Sequence, residues 1–143
     1  MYILIYAHLV LENAYRVLRL KYIVLTIRNS NMRALVTGCT GQIASYLCEH
    51  LLDNNIEVYG LIRRSSTNHL ERIAHILNKI QLVPGDLADQ TSLDTAMREV
   101  QPDYIFNCAS QSFVHVSWDM PILTADITGL GVLRMLEAMR KYA

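Results

Sequence analysis

Arg33-Ala34-Leu35-Val36-Thr37-Gly38-Cys39-Thr40-Gly41-Gln42-Ile43-Ala44 is an apolar run that breaks into a glycine-bearing turn and reopens as a second apolar pattern. The second pattern is helical. Ile43, Leu47, Leu51 and Ala44, Cys48, Leu52 form two adjacent rows at spacing four. Asp53-Asn54-Asn55 follows as a stop, because Asn tolerates the left-handed conformation in which helices end. Residues 56–61, Ile-Glu-Val-Tyr-Gly-Leu, then read as a strand. A glycine-rich heptapeptide alone marks turns of every kind. Strand before and helix after change its meaning. The turn lets backbone approach a ligand closely, and the helix start offers unpaired N–H groups and a positive dipole end, which together hold a pyrophosphate.

About twenty residues further on, Arg63-Arg64-Ser65-Ser66 stands at the end of the second strand, where such a unit meets the adenosine ribose. An acidic residue there would bind a free 2′-hydroxyl. Two guanidinium groups and two hydroxyls instead suit a 2′-phosphate. A solvated basic turn is the plain alternative for an Arg pair, and its position in the unit favours the phosphate. The implied cofactor is NADP.

The alternation continues downstream. A short helix is expected over 70–78, and a strand over 80–83 closes on Pro84-Gly85-Asp86-Leu87. Asp89 or Thr91 caps a helix whose Leu93, Ala96, Met97 and Val100 share one face. Residues 104–108 form a fourth, mostly apolar strand, the pattern of a parallel strand covered on both faces. A last helix spans about 124–142. Its apolar residues run most of the way round, so two buried sides are expected. Strands alternating with helices give an α/β class: a partial Rossmann-type doubly wound parallel sheet, truncated after about four strands.

With 143 residues and 52% hydrophobic content, one domain with a real core is the limit. The formal net charge of zero points to neither nucleic acid nor an anionic membrane as partner. Cys39, Cys48 and Cys108 lack metal-ligand spacing and read as free thiols in a reducing cytoplasm. The five histidines are dispersed, so no metal site is expected.

Residues 1–31 stand outside the pattern. Their apolar stretch is interrupted by His8, Glu12, Arg16, Arg19 and Lys21, which leaves no span for a membrane helix and no signal-peptide layout. A short amphipathic helix and a strand-like 22–27 are open to them. Met32 is expected to be the working start of the domain, with 1–31 an extension foreign to its fold.

Thr37-Gly38-Cys39-Thr40-Gly41-Gln42, Arg63-Arg64-Ser65-Ser66, Gly85-Asp86-Leu87, residues 107–114 and Thr124-Ala125-Asp126 together resemble the N-terminal part of the GDP-mannose 4,6-dehydratases. These are extended short-chain dehydrogenases/reductases. The resemblance runs from Met32 to Ala143 and departs where the family usually has Asp-Gly and this chain has Ile43-Ala44. Ala at a third-glycine position is tolerated, whereas Ile43 removes a carboxylate near the cofactor.

The resemblance implies that Gly38, Cys39, Thr40, Gly41, Gln42 and Ile43 wrap the pyrophosphate, and that Arg63, helped by Arg64, takes the 2′-phosphate. Asp86 and Leu87 would contact the adenine. Cys108, Ala109, Ser110, Gln111 and Ser112 would line the nicotinamide-side ribose and the floor of the sugar site. The alternative readings are a turn residue after Pro-Gly for Asp86 and loop caps for Gln111 and Ser112. The implied substrate is GDP-mannose or a related nucleotide sugar, with a homo-oligomer in the full-length enzyme. The family's catalysis uses a Tyr-x-x-x-Lys pair with a Ser/Thr and a Glu. No tyrosine here has a lysine four positions on, so no catalytic residue is assigned and the chain reads as the first part of an enzyme. An epimerase or reductase of the same superfamily, or a non-catalytic NADP-binding module, stand as alternatives.

Overall fold

The computed structural model describes residues 32–66 and 69–142, together with the backbone of residues 3–6. Strands β1 (Ile3–Tyr6), β2 (Arg33–Thr37), β3 (Glu57–Ile62), β4 (Gln81–Pro84) and β5 (Tyr104–Asn107) form one sheet in the order β1-β5-β2-β3-β4. All its pairings are parallel, with Thr37 opposite both Leu61 and Asn107. The helices are α1 (Gln42–Asp53), α2 (Gln90–Val100), α3 (Val114–Asp119), α4 (Pro121–Ala125) and α5 (Gly131–Tyr142). A 3₁₀ turn covers Glu71–Ile76, and a π turn, Asp126–Leu130, joins α4 to α5.

Two apolar layers sandwich the sheet. On one side Ala44, Leu47, Cys48 and Leu51 of α1 pack with Ile73 and Ile76 against Ala34, Val36 and Val58. On the other, Leu93, Ala96, Met97 and Val100 of α2 join Met135 and Ala138 of α5 against Leu35, Leu61 and Ile105. Each buried Leu, Ile or Val contributes roughly 1.5–3 kcal/mol relative to exposure. The interiors of β2, β3 and β5 are mostly apolar because both of their faces are covered. This is the doubly wound α/β arrangement that the alternating pattern implies.

The local signals act as their chemistry dictates. Asp89 caps α2, its side chain accepting from the Thr91 N–H at 3.0 Å. After α1, Asn54 donates its side-chain N–H to the His50 carbonyl at 2.8 Å, and Asn55 takes a left-handed φ of 59°.

Four features differ from the sequence expectations. First, the sheet has five strands, because the Ile3–Tyr6 backbone pairs in parallel with Tyr104–Asn107. So part of the 1–31 extension lies on the fold rather than outside it. The outer edge of β5 offers unpaired N–H and C=O groups, and the apolar run at 3–5 suits a strand there. Residues 7–31, with the strand-like 22–27, fall outside the described residues. Second, the 70–78 segment is a 3₁₀ turn. Third, a helix, α3, occupies 114–119, where the sequence pattern assigned no element, and Trp118 on it is 82% exposed. Fourth, the last helix is divided by the π turn, and within the chain α5 buries a single face. Leu130, Leu133 and Leu136 remain exposed while Gly131, Met135 and Ala138 are buried.

Candidate functional site

The turn after β2 is held by backbone. Gly38 takes φ +64°, and a Cβ there would sit 2.9 Å from the Ala109 Cα, so only glycine satisfies both the conformation and the space. The Gly41 N–H closes the turn on the Gly38 carbonyl at 2.8 Å. Gly41 is the N-cap of α1, with no side-chain cap and no acidic residue in the first turn. The leading N–H groups and the positive dipole end therefore meet the space above the sheet without a resident anion. Ala44, at the third-glycine position, is 2% exposed and packs its methyl into the core below α1.

That space is a cleft of about 1020 Å³ along the C-terminal ends of the strands. Its size is at the upper end of the roughly 300–1,000 Å³ typical of ligand pockets. Gly38, Thr40, Gly41, Gln42 and Ile43 line one part, with Arg63 and Arg64 at the end of β3. Asp86 and Leu87 lie beyond β4, and Cys108, Ala109, Ser110, Gln111 and Ser112 follow β5. These groups come from segments up to about seventy positions apart, and the crossovers of a parallel sheet bring them to one edge.

Cys39 is the exception. Its thiol is fully buried under the turn, where a Cβ on Gly60 would stand 2.6 Å from the sulfur. The residue does not line the cleft, because the inward-turning Cys39 completes the core of α1. Burial pushes its thiol up to about 11, and that of Cys108 also to about 11. Cys48 rises to about 12, through burial first and then the neighbouring thiols. All three are free and neutral at physiological pH, which removes them as nucleophiles.

Asp86 is a turn residue at the edge of the cleft. One carboxylate oxygen accepts from the Ala88 N–H at 2.9 Å, forming a turn, and the residue still lines the cleft. The Gln111 N–H donates to the Thr128 hydroxyl at 3.3 Å, tying the loop after β5 to the π turn. Under the floor, Thr37 accepts from the N–H groups of Cys108 and Ala109, each at 3.0 Å.

The far wall was not foreseen. Val116, Met120, Leu123 and Ile127 line it, recurring at spacings of four, three and four through α3, α4 and the π turn. That row is a helical signal, but the short breaks between segments obscure it.

A model of the GDP-mannose 4,6 dehydratase family matches residues 35–143. The chain belongs to this family. GDP-mannose 4,6 dehydratase 1 of Arabidopsis thaliana is 47% identical over 117 residues, covering 76% of this chain and 32% of that relative. The Homo sapiens GDP-mannose 4,6 dehydratase is 44% identical over 115 residues, covering 75% and 31%. The chain thus spans about a third of the length of these dehydratases. Among solved structures, Thermus thermophilus UDP-glucose 4-epimerase in complex with NAD aligns at a TM-score of 0.69 and 34% identity. That alignment covers 78% of this chain and 34% of the epimerase. The Thermotoga maritima UDP-glucose 4-epimerase with UDP-glucose aligns at 0.69 and 27% identity. The dehydratase family chain therefore carries the nucleotide-binding Rossmann architecture shared with these sugar-nucleotide enzymes.

Proposed function

We propose that this chain binds NADP in the cleft and forms the cofactor-binding part of a nucleotide-sugar 4,6-dehydratase acting on GDP-mannose to give GDP-4-keto-6-deoxymannose. One observation carries it: the uncapped N-terminus of α1, behind the Gly38–Gly41 turn, opens on the same cleft as Arg63 and Arg64. The first group suits a pyrophosphate and the second a 2′-phosphate. When bound, NADP supplies a reversible hydride acceptor. The residues of this chain bind and orient it: Gly38, Thr40, Gly41, Gln42 and Ile43 at the pyrophosphate, with Cys39 buried beneath the turn as its support, and Arg63 and Arg64 at the phosphate. Asp86 and Leu87 take the adenine side. Cys108, Ala109, Ser110, Gln111 and Ser112 take the nicotinamide side and the sugar floor.

The residues from Met32 onward make up this cofactor-binding unit. A cytoplasmic location accords with three neutral free thiols and with the absence, among the described residues, of any helix long and apolar enough to cross a membrane. The exposed Leu130, Leu133 and Leu136 would meet a second copy in the full-length enzyme. A sugar-nucleotide epimerase is the second reading, favoured by the fold match to UDP-glucose 4-epimerases. The higher identity to dehydratases ranks it lower.

The test is to titrate the purified chain with NADP and then incubate it with GDP-mannose, looking for the 4-keto-6-deoxy product. Binding without turnover is expected, because no Tyr-x-x-x-Lys pair is present to move the proton. No NADP binding by a folded sample would overturn the proposal, and turnover would overturn the assignment of catalysis to residues outside this chain.

A further inference from the structure

Arg134 lies on α5, 47 positions after Leu87, yet its guanidinium donates to the Leu87 carbonyl at 3.0 Å. The same group is aimed by Asp126, whose carboxylate accepts at 2.7 Å and whose carbonyl accepts at 3.4 Å. Arg134 and Asp126 are only 24% and 30% exposed, so this pair is less screened than a surface one. The Arg134 carbonyl in turn accepts from the Gln90 side chain at 3.1 Å, fastening α5 to α2. One turn earlier, Gly131 packs directly on Leu87: an added Cβ would lie 2.9 Å from the Leu87 Cβ.

What Arg134 holds is the wall of the cleft itself. Gly85, Asp86, Leu87 and Ala88 all line it. The other end of the same segment reaches the opposite wall, since Thr128 accepts from the Gln111 N–H. The stretch from Asp126 to Arg134 thus ties the loop after β4 to the loop after β5. Its π turn is a widened turn of the kind that recurs at functional sites.

We infer that Arg134, aimed by Asp126, is a positioning residue for the adenine end of the bound dinucleotide, acting through the Leu87 carbonyl. This rests on the NADP reading given above. Without the guanidinium the loop loses a charge-assisted hydrogen bond and Asp126 loses its partner. Residues 85–88 then sample conformations that the nucleotide must reselect at a cost in affinity.

Arg134→Met keeps length and apolar contact while removing the donors, and Arg134→Lys keeps one charge without the fork. Two readouts are taken on the full chain: amide exchange of residues 85–88 against that of residues 38–43, and affinity for NADP and for 2′-phospho-ADP-ribose. In Arg134→Met, exchange should quicken at 85–88 and stay unchanged at 38–43, with both affinities falling roughly tenfold. Arg134→Lys should recover part of each. Asp126→Asn, which is milder, should move the same readouts in the same direction and guards against misfolding of the Met variant. Unchanged exchange at 85–88, or exchange rising equally in both segments, would overturn the inference. So would local loosening with NADP affinity retained. If the wild type bound no NADP while the loop still loosened in Arg134→Met, the NADP reading would fail, the positioning of the loop would stand, and the link to the dinucleotide would fall.

Discussion

Thr37 and Asn107, on adjacent strands and 70 positions apart, share a buried hydrogen bond of 2.7 Å in which the Thr37 hydroxyl donates to the Asn107 side-chain oxygen. The same hydroxyl oxygen receives the N–H groups of Cys108 and Ala109. One side chain therefore fixes both the end of β5 and the first turn of the loop that floors the cleft. Thr37→Val keeps the shape but leaves an acceptor and two N–H groups without partners. Such groups cost about 1–3 kcal/mol each when buried, so a loss of about 3 kcal/mol or more in urea unfolding is expected. Thr37→Ser should recover most of it. A Val variant as stable as wild type would show that water replaces the hydroxyl.

Gly38→Ala should damage the site more than the fold. The substitution forces a Cβ into a left-handed residue and against the Ala109 backbone at 2.9 Å. Strain of this kind costs of order 1–3 kcal/mol, and relief requires moving the loop after β5 away from the turn. NADP affinity should fall by at least about tenfold while the far-ultraviolet spectrum stays native. Retained affinity in the Ala variant would contradict the close approach.

Thiol titration sets an alkaline limit. Burial raises Cys39 and Cys108 from 9.0 to about 11, and Cys48 from 9.0 to about 12. The fold thus favours the protonated thiol. That contribution is fully present below about pH 9 and is lost as pH rises through 11 to 12. Urea midpoints should fall steeply above pH 9, and less so in Cys48→Ala. Alkylation by iodoacetamide at pH 7.5 should be slow at all three, and NADP should slow it further at Cys108, which lines the cleft. Rapid labelling of Cys39 or Cys48 in the native state would refute this burial.

The sequence disclosed the parts of the molecule whose signals are local. The rows of α1, the Asp89 cap and the stop at Asn54–Asn55 each rest on neighbours within four positions. Gly38 and Gly41 were legible because a strand precedes them and a helix follows. Other parts depend on distant partners. The Arg134 contact to Leu87 spans 47 positions, and no spacing announces it. Trp118 looks like core material, yet α3 has no buried residue. The run at 3–5 is too short to separate from other apolar segments, and its place in the sheet comes only from the open edge of β5.

The cofactor-binding unit is proposed to begin at Met32. Deleting residues 1–31 removes β1 and opens the outer edge of β5, while every residue assigned to the cleft remains. NADP affinity should stay within about twofold, as expected of sites without shared contacts. Self-association should rise as the bared edge finds partners. Loss of NADP binding in a folded, monodisperse sample would make the N-terminal segment part of the site.

The pair Arg63 and Arg64 is proposed to decide which dinucleotide enters the cleft. Charge-assisted bonds to a phosphate are worth roughly 1.5–3 kcal/mol each, so NADP should bind at least about tenfold more tightly than NAD. Titration calorimetry of the wild type and of Arg63→Ala with both cofactors measures it directly. A clear NADP preference is expected, and it should shrink in Arg63→Ala through weaker NADP binding, with NAD affinity little changed. Equal affinities for NADP and NAD in the wild type would contradict it.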